Sequence, residues 1–375
     1  MSIGIEILGV PGVVNLEGQA RYAYHLARAL LGLDCPHRFL LMCNSARRAI
    51  ARRDVEDAMG TDAFEWVLTR TPMTGRVALA RALKYRRFAR AARRHGVQLF
   101  HGTSFRGLGR YGVPSVVTVH DLCGMFFPTV PARDRQVDPM IAEVRASRRV
   151  IVPSENTRRD MVMFWGVEAD KIDVVPEGYN RPPADLGEAS IKLPERFVLY
   201  VGSYRQNKNI DGLLRAFARV APQRPDVQLV MVGGEPGAVD RVARRADQLG
   251  LAGRVVQPGY VPEVDLDACY RRALCLVQPS FYEGFGLTPL EALGRGTAVA
   301  VSGNTSMPGV VGEAGLTFDP LDIDAMAAAA GRLVDDESLR KRLGEAGRAR
   351  AAELTWRRAA ELTLRVYRQC LQEKT

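Results

Sequence analysis

Short apolar runs alternate with helix-like segments along nearly the whole chain, and this alternation limits the fold more than any other feature. The runs Val227–Val232 and Leu274–Gln278 have the length and the apolar content of buried strands. Between such runs lie segments with helical periodicity, for example Asp211–Val220. Strands that alternate with helices are typical of parallel sheets covered on both faces. The sequence therefore predicts an α/β fold.

The same alternation assigns individual elements. The predicted strands are Ile3–Leu8, Phe39–Cys43, Gln98–Phe100, Ser115–Val119, Val150–Val152, Ile172–Val175, Phe197–Val201, Val227–Val232, Val255–Gln257, Leu274–Gln278 and Ala298–Val301. The predicted helices are Gly18–Leu31, Val77–His95, Asn156–Trp165, Asp211–Val220, Val239–Leu249, Asp265–Arg272, Pro289–Leu293, Ile323–Val334 and Glu337–Glu353.

The chain of 375 residues exceeds one ordinary hydrophobic core and suits two domains. Pro176–Pro194, rich in proline and glycine, separates two series of elements and is interpreted as the linker. We expect one Rossmann-like domain at 1–182 and a second at 183–355. A final amphipathic helix, about 356–375, is expected to return to the first domain. Because such sheets bind ligands at the carboxyl ends of their strands, the two domains are expected to face each other across a cleft.

Composition narrows the classes of protein. The six cysteines form no CxxC pair, so neither a zinc site nor a disulfide framework is expected. Met1–Val10 lacks the features of a signal peptide, and no apolar run approaches the ~18 residues that span a membrane. We therefore expect a cytoplasmic protein. Most of the net charge of +10 lies in the first half, which suits an anionic partner or acceptor.

The most informative motif is the glycine-rich turn Pro279–Ala292, which follows a predicted strand and opens a helix. Bare N–H groups and the positive end of a helix dipole make such a turn an anion site. Here the N–H groups of Phe285, Gly286 and Leu287 are expected to hold a phosphate. The carboxylates of Glu283 and Glu291 lie on either side, which suits a ligand with both phosphate and hydroxyl groups. Nucleotide sugars have this chemistry.

A structural alternative exists for part of this motif. Thr288-Pro289-Leu290-Glu291 also has the pattern of a capping box, with the threonine as N-cap and the glutamate reaching back to the cap N–H. That alternative accounts for Glu291 without any ligand. It does not account for Glu283, Gly284 or Gly286.

A second loop, Val201–Asn209, also joins a predicted strand to a helix. It carries Ser203, Arg205 and Lys208, and its two cations lie where a diphosphate needs neutralising. The alternative is a solvated loop with two surface cations, and the nearby glutamate turn favours the phosphate role.

In the first half, a strand ends at His120-Asp121, and Gly18 opens a helix. A lone histidine is usually structural, but one at the carboxyl end of a strand is a candidate site residue. Gly18 would allow its backbone to approach the same diphosphate.

The helix Arg76–His95 contains eight Lys or Arg residues and no acidic residue. A solvated basic face is one interpretation, and contact with anionic lipid headgroups is the other. Nucleic acid is not expected, because the basic patch lacks interleaved aromatic residues for base stacking and no DNA-binding motif occurs. Two DxD patterns, Asp265–Asp267 and Asp322–Asp324, lie where helices begin and are interpreted as helix caps rather than metal ligands.

Together these residues resemble the retaining GT-B glycosyltransferases of the family-4 type, in particular bacterial polysaccharide mannosyltransferases. The likeness covers nearly the whole chain and is strongest from Phe197 to Pro320. Its landmarks are the two glutamates of the glycine turn, His120-Asp121, Val152–Glu155, Val175–Tyr179, Lys208-Asn209 and Gly259–Val261.

The resemblance implies two Rossmann-like domains in a GT-B arrangement, and a hexose transferred from a nucleoside diphosphate sugar with anomeric retention and without a metal or other cofactor. It implies that Glu283 contacts the donor sugar and Glu291 the ribose. Lys208, with Arg205, would bind the diphosphate. His120 would lie near the reaction centre, and the loop at Tyr260 would hold the base.

The chain departs from the family pattern at three places. Asn207 stands where the family often has an arginine, and Arg205 is the candidate substitute. Gln19-Ala20 stand where a second glycine is common after Gly18, and Gly309 stands where the family usually has a glutamate.

The sequence thus predicts a glycosyltransferase that adds a hexose to a glycan or lipid-linked acceptor, with GDP-mannose as the first choice of donor. A UDP-hexose donor is the alternative, followed by an epimerase, a phosphorylase or a non-catalytic nucleotide-sugar-binding protein. The protein is expected in the cytoplasm, with a peripheral contact at the inner face of the membrane through Arg76–His95.

Overall fold

The computed structural model describes residues 2–6, 18–44, 64–69, 78–105, 107–127, 137–179, 181–182, 187–235 and 237–372. The chain divides into two compact units. The first comprises Met1–Gly178 and Trp356–Thr375, and the second Tyr179–Thr355. The division thus falls four residues before the boundary expected at 182, and the last helix belongs to the first unit.

The first unit contains a seven-stranded parallel sheet in the order β3-β2-β1-β4-β5-β6-β7. Its strands are β1 (Ser2–Glu6), β2 (Arg38–Asn44), β3 (Phe64–Thr69), β4 (Leu99–Gly102), β5 (Ser115–Thr118), β6 (Arg149–Val152) and β7 (Ile172–Val174). Its helices are α1 (Gly18–Leu31), α2 (Ala78–Arg94), α3 (Cys123–Phe126), α4 (Val137–Ala146), α5 (Glu155–Trp165) and α13 (Trp356–Gln372).

The second unit contains a six-stranded parallel sheet in the order β10-β9-β8-β11-β12-β13. Its strands are β8 (Arg196–Gly202), β9 (Val227–Gly233), β10 (Val255–Gly259), β11 (Cys275–Gln278), β12 (Val299–Ser302) and β13 (Gly315–Phe318). Its helices are α6 (Ile210–Val220), α7 (Ala238–Gln248), α8 (Glu263–Arg272), α9 (Leu287–Arg295), α10 (Met307–Val311), α11 (Ile323–Asp335) and α12 (Glu337–Glu353).

The pattern of β8 shows why this sheet is covered on both faces. Successive side chains of a strand point to opposite faces. Val198 and Tyr200 enter one buried cluster, whereas Phe197 and Leu199 enter another. All four are fully or almost fully buried. The α/β class with two parallel sheets, predicted from the alternation of elements, is confirmed.

Several elements were not predicted. The strands β3 and β13 lie at sheet edges, where one neighbour is missing and the apolar pattern is weak. The helix α4 carries a proline at its third position, which reads as a break in sequence although a proline is tolerated in a first helical turn. The predicted extension of β1 to Leu8 falls outside the described residues.

Candidate active site

Two loops of the second unit meet at the carboxyl ends of β8 and β11, which are neighbouring parallel strands. The chain order reverses there, because β9 and β10 lie on one side of β8 and β11 to β13 on the other. Open α/β sheets bind their ligands at such a switch point. The first loop runs from Ser203 to Asn209 and the second from Pro279 to Gly286, so the two loops singled out in the sequence are adjacent.

An ion pair joins the loops. Lys208 Nζ lies 2.6 Å from Glu283 Oε1, and the two side chains are only 20% and 16% exposed. The same oxygen accepts from Ser280 Oγ at 2.7 Å and lies 3.4 Å from Gln278 Nε2. Because three donors converge on one oxygen, the carboxylate has a fixed position and a negative charge that is largely compensated.

Asn207 also joins the two loops. Its buried side-chain amide donates to the Tyr282 carbonyl at 3.2 Å, and its backbone carbonyl accepts from Phe281 N at 2.8 Å. A long cation in place of this buried amide would lose the side-chain contact to the Tyr282 carbonyl, whereas the contact of the backbone carbonyl would remain. The asparagine where the family often has an arginine is therefore a structural residue in this chain.

The turn before α9 depends on Gly286, whose φ of 124° favours glycine. This conformation starts the helix at Leu287, so Thr288 lies within the first turn and caps nothing. The capping-box alternative is therefore wrong. Within residues 237–372, no hydrogen bond outside the regular helices and strands uses the backbone N–H of Phe285, Gly286 or Leu287. These N–H groups make the start of α9 suitable for an anion.

Glu291 lies one turn into α9, and its carboxylate binds a tyrosine instead of a cap. Tyr270 donates its hydroxyl proton to Glu291 Oε2 at 2.9 Å. Arg295 Nη1 donates to the Glu291 carbonyl at 3.1 Å. Sequence reasoning missed both partners, and Tyr270 in particular lies 21 residues earlier on another helix.

A polar loop after β12 completes the site and was also missed. Thr305 adopts φ 53°, which is unusual for a β-branched residue and marks local strain. Glu283 N lies 3.4 Å from Thr305 Oγ1, and Ser306 Oγ lies 2.9 Å from the Glu283 carbonyl. The only signal in the sequence is that this polar run follows a strand adjacent to β11.

Arg205 does not join the ion pair. Its guanidinium is 60% exposed, and its Nε lies 3.3 Å from Glu235 Oε1 at the end of the neighbouring strand β9. The other carboxylate oxygen of Glu235 accepts from Tyr204 N at 2.9 Å. Ser203 presents its carbonyl to the Tyr200 hydroxyl at 2.6 Å.

Tyr260 follows β10 directly, and its side chain is 58% exposed. An aromatic ring with this much free surface at the carboxyl end of a strand offers a stacking platform for a planar group.

In the first unit, both ring nitrogens of His120 are engaged. Nε2 donates to the Thr103 carbonyl at 2.9 Å, and Nδ1 lies 3.2 Å from Glu177 Oε1. Burial lowers the pKa of His120. The hydrogen bond and charge of Glu177 outweigh this effect, with help from the Thr103 carbonyl and Asp121, so the pKa is raised above its ordinary value. The contact with Glu177 thus favours the protonated form of the ring, and both ring nitrogens already have partners within the first unit.

A buried polar chain continues behind this histidine. Tyr22 packs edge-on against the His120 ring at 4.7 Å, and its hydroxyl lies 3.0 Å from Thr118 Oγ1. Thr118 contacts His101 Nε2 at 2.8 Å, and His101 Nδ1 lies 2.6 Å from the Tyr367 hydroxyl on α13. Burial, followed by the charge of His120, lowers the pKa of His101 to about 3, so this second histidine is neutral.

Gly18 is the first residue of α1. Among the described residues, no heavy atom lies within 4 Å of the place where a Cβ would stand, so their packing does not require glycine here. The preceding residues 7–17 fall outside the described ranges.

The two DxD patterns have structural partners. Asp322 caps α11 by accepting from Ala325 N at 2.9 Å, as expected. Asp265 and Asp267 are not caps, since α8 starts at Glu263. Asp265 accepts from Ser190 N at 2.7 Å, and Asp267 from Arg295 Nε at 2.7 Å. Among the described residues, no group of three His, Cys, Asp or Glu side chains could hold a metal ion.

The basic helix α2 spans Ala78–Arg94. Phe88, Ala89 and Ala92 are buried and form its inner face. Arg87 and Arg90 are exposed, whereas Arg76 and the side chains of residues 78–84 lie outside the described part. None of the helices in the described ranges combines the length and hydrophobicity needed to cross a bilayer.

Two family models match the chain. Residues 16–181 match the family Glycosyltransferase Family 4, and residues 185–350 match Glycosyl transferases group 1. The O-antigen chain mannosyltransferase B of Escherichia coli is 32% identical over 77% of this chain and 78% of its own length. The D-inositol 3-phosphate glycosyltransferase of Acidothermus cellulolyticus is 32% identical over 71% of this chain, and the match spans 64% of that protein.

Solved structures share the fold. Anabaena HepE, solved in complex with UDP and glucose, superposes with a TM-score of 0.76 over 98% of this chain and 100% of its own, at 15% identity. The resemblance in sequence is therefore confirmed. The chain is an enzyme and belongs to the GT-B glycosyltransferases of the family-4 type.

Proposed function

We propose that the enzyme transfers mannose from GDP-mannose to a glycan or lipid-linked acceptor, with retention and without a metal or other cofactor. The observation that carries the proposal is the partly buried Lys208–Glu283 pair at the switch point of the second sheet, beside the open N-terminus of α9. This arrangement combines a cation and N–H donors for a diphosphate with a carboxylate for the sugar.

The diphosphate would bind between Lys208 and the first turn of α9. Lys208 supplies a charge, and the N–H groups of Phe285, Gly286 and Leu287 supply oriented donors at the positive end of the helix dipole. Arg205 could add a second charge only by leaving Glu235. The Arg205 side chain is 60% exposed, and its Nε lies 3.3 Å from Glu235 Oε1. Breaking such an exposed ion pair costs little free energy.

Glu283 would act as an electrostatic stabiliser of the oxocarbenium-like transition state. Its Oε1 already accepts from an ammonium and a hydroxyl, which lowers its strength as a nucleophile while preserving its charge. We propose that the acceptor hydroxyl attacks the anomeric carbon on the face from which the diphosphate departs, and that the departing phosphate oxygen takes the hydroxyl proton. Retention then needs no covalent sugar on the protein.

His120 would act through its charge. Burial lowers the pKa of the ring, but the hydrogen bond and charge of Glu177 raise it above its ordinary value, so the protonated ring would give a positive potential at the carboxyl end of β5. A positive potential favours the negative charge that develops on the leaving diphosphate.

Mannose as the transferred sugar is supported by the O-antigen chain mannosyltransferase of Escherichia coli, of which this chain covers 78%. Tyr260 would stack on the base, and Gly18 would approach the diphosphate. A UDP-hexose is the second candidate donor, supported by HepE, a protein of the same fold that holds UDP and glucose.

A panel of GDP and UDP sugars, offered with and without a lipid-linked or oligosaccharide acceptor, tests the proposal. We expect nucleotide release with GDP-mannose, acceptor-dependent product with the anomeric configuration of the donor, and full activity in EDTA. Turnover with UDP-glucose and not with GDP-mannose would show that the donor is a UDP-hexose instead. Binding without turnover of any donor would favour a non-catalytic protein, and interconversion of free sugar nucleotides would favour an epimerase.

We also propose a cytoplasmic enzyme that contacts the inner face of the membrane through α2. The exposed Arg87 and Arg90 lie on the face opposite the buried Phe88 and Ala92, which suits anionic headgroups. Sedimentation with neutral and anionic vesicles at low and high salt tests this contact. Equal recovery with both lipids would contradict it.

A further inference from the structure

The carboxylate of Glu291 is held by a tyrosine that no local sequence pattern connects to it. Tyr270 on α8 is fully buried, and its hydroxyl donates to Glu291 Oε2 at 2.9 Å across 21 residues of chain. A buried hydroxyl that donates to a carboxylate is a strong, directional contact. It fixes the carboxylate on the face of α9 that the donor would approach.

The tyrosine ring is itself immobilised. The guanidinium of Arg295 lies 4.8 Å from the centre of the Tyr270 ring, and Thr297 Oγ1 donates to the Tyr270 carbonyl at 2.7 Å. Arg295 is 6% exposed and donates through Nε to Asp267 Oδ1 at 2.7 Å. Rotation of the ring would break a cation–π contact in a buried environment, so the hydroxyl has one accessible position.

Arg295 also grips the main chain of Glu291 through the 3.1 Å contact of Nη1 with its carbonyl. One buried unit, formed by Asp267, Arg295 and Tyr270, therefore holds Glu291 at both its side chain and its backbone. A glutamate on a helix surface does not require these contacts for the helix to be stable, so they point to a role in holding the carboxylate in place.

We propose that Tyr270 is a positioning residue that orients Glu291 to accept hydrogen bonds from the ribose hydroxyls of the donor nucleotide. This inference rests on the proposed function. Since a tyrosine hydroxyl bound to a carboxylate acts as the donor, Glu291 stays an acceptor and selects groups that donate. The device favours a ribonucleotide over an analogue without ribose hydroxyls, whatever the base.

The test compares binding of GDP and 2′,3′-dideoxy-GDP by isothermal titration calorimetry, with the UDP pair alongside. The wild-type enzyme is expected to prefer the ribonucleotide by about tenfold to hundredfold. Glu291→Gln should remove most of this preference. Tyr270→Phe keeps the ring and its stack, and should reduce the preference by roughly three- to tenfold while leaving the affinity for the dideoxy analogue unchanged.

Kinetics provides a second readout. Tyr270→Phe should raise the donor KM by the same factor as it weakens ribonucleotide binding, with kcat near the wild-type value. The double variant Tyr270→Phe/Glu291→Gln should bind both nucleotides as the Glu291→Gln variant does, because the two side chains act as one unit.

Tyr367→Phe is the matched control. Tyr367 is fully buried in the first unit, and its hydroxyl lies 2.6 Å from His101 Nδ1. This variant loses a buried tyrosine hydroxyl as well, but should keep the wild-type ratio between the two nucleotides. Thermal unfolding checks that each variant folds. If Tyr270→Phe fails to fold, Glu291→Asp withdraws the carboxylate from the hydroxyl, and should lose the preference for the same reason.

Three outcomes separate the claims. Equal weakening of both nucleotides by Tyr270→Phe, or an unchanged ratio, would overturn the positioning role. A wild-type enzyme that binds GDP and its dideoxy analogue alike would overturn the ribose contact of Glu291, and the role of Tyr270 with it. A wild-type enzyme that binds no nucleoside diphosphate would reject the proposed function itself.

Discussion

Lys208 Nζ and Glu283 Oε1 lie 2.6 Å apart although 75 residues separate them in the chain. Each residue follows a different strand, and the ion pair is mostly shielded from solvent. Their contact turns two separate loops into one site.

Substitution of Lys208 by methionine should remove the charge and keep most of the side-chain volume. We expect transfer to fall by at least about a hundredfold. The free energy of unfolding should fall by about 1–3 kcal/mol, because Glu283 stays mostly buried without its cationic partner. The donor assay and urea denaturation measure the two effects.

The double variant Lys208→Met/Glu283→Gln is the control for that pair. It contains no unpaired carboxylate, so it should recover most of the lost stability and none of the activity. Wild-type turnover in Lys208→Met would show that the lysine does not serve the reaction.

Glu177 should control the charge of His120. Because the folded-state pKa of His120 is raised, its protonation stabilises the folded first unit fully below the ordinary pKa of 6.5. That contribution disappears as the pH rises through the raised pKa. Glu177→Gln should lower the pKa of His120 and flatten this loss of stability above pH 6.5.

Nuclear magnetic resonance titration of the histidine ring protons measures this effect, and chemical denaturation at several pH values measures its consequence. His101 is an internal reference, since burial lowers its pKa to about 3 and its ring should stay neutral throughout. An unchanged His120 titration in Glu177→Gln would contradict the pairing.

The conformation of Gly286 leads to a third prediction. At φ 124° a Cβ is strained, although the nearest heavy atom is at an ordinary 3.4 Å. Gly286→Ala should therefore cost roughly 1–3 kcal/mol of stability and displace the N–H groups at the start of α9. We expect the donor KM to rise at least severalfold.

Gly309→Ala is the comparison for that substitution. Gly309 lies in α10 without a positive φ, and no heavy atom in the part of the chain that the structure describes is within 4 Å of its missing Cβ. Alanine there should leave stability equal or slightly higher. Equal stability losses in the two variants would refute the conformational explanation.

Tyr260 should contribute to nucleotide affinity by stacking. Tyr260→Ala should weaken nucleoside diphosphate binding by roughly 1–3 kcal/mol and leave the thermal unfolding temperature nearly unchanged, since the ring is 58% exposed. Leu321→Ala removes an apolar side chain that is 76% exposed in the turn between β13 and α11, and should not change affinity. Equal affinities of wild type and Tyr260→Ala would place the base elsewhere.

Much of the site could be anticipated because its key residues belong to local patterns. A glycine turn before a helix marks Glu283, and a loop after a strand marks Lys208. The start of α9 could not be anticipated, because Gly286 adopts a conformation that makes the threonine cap unnecessary.

The partners of these residues could not be read from the sequence. Tyr270 contacts Glu291, and Glu177 contacts His120 across 57 residues, only because the sheets bring distant segments together. Edge strands such as β13 escaped prediction for a related reason, since their pairing partner rather than their own composition stabilises them.

The neutral His101 bridges Thr118 and Tyr367, and thereby joins the middle of the first sheet to α13. During synthesis, residues 1–178 leave the ribosome long before the helix that buries this histidine has been made. The second unit is contiguous and has all of its residues earlier than the first unit has its last helix. Maturation of the protein should therefore run against the order of translation: a nascent chain that stops before Trp356 would hold a finished second unit and an unfinished first one.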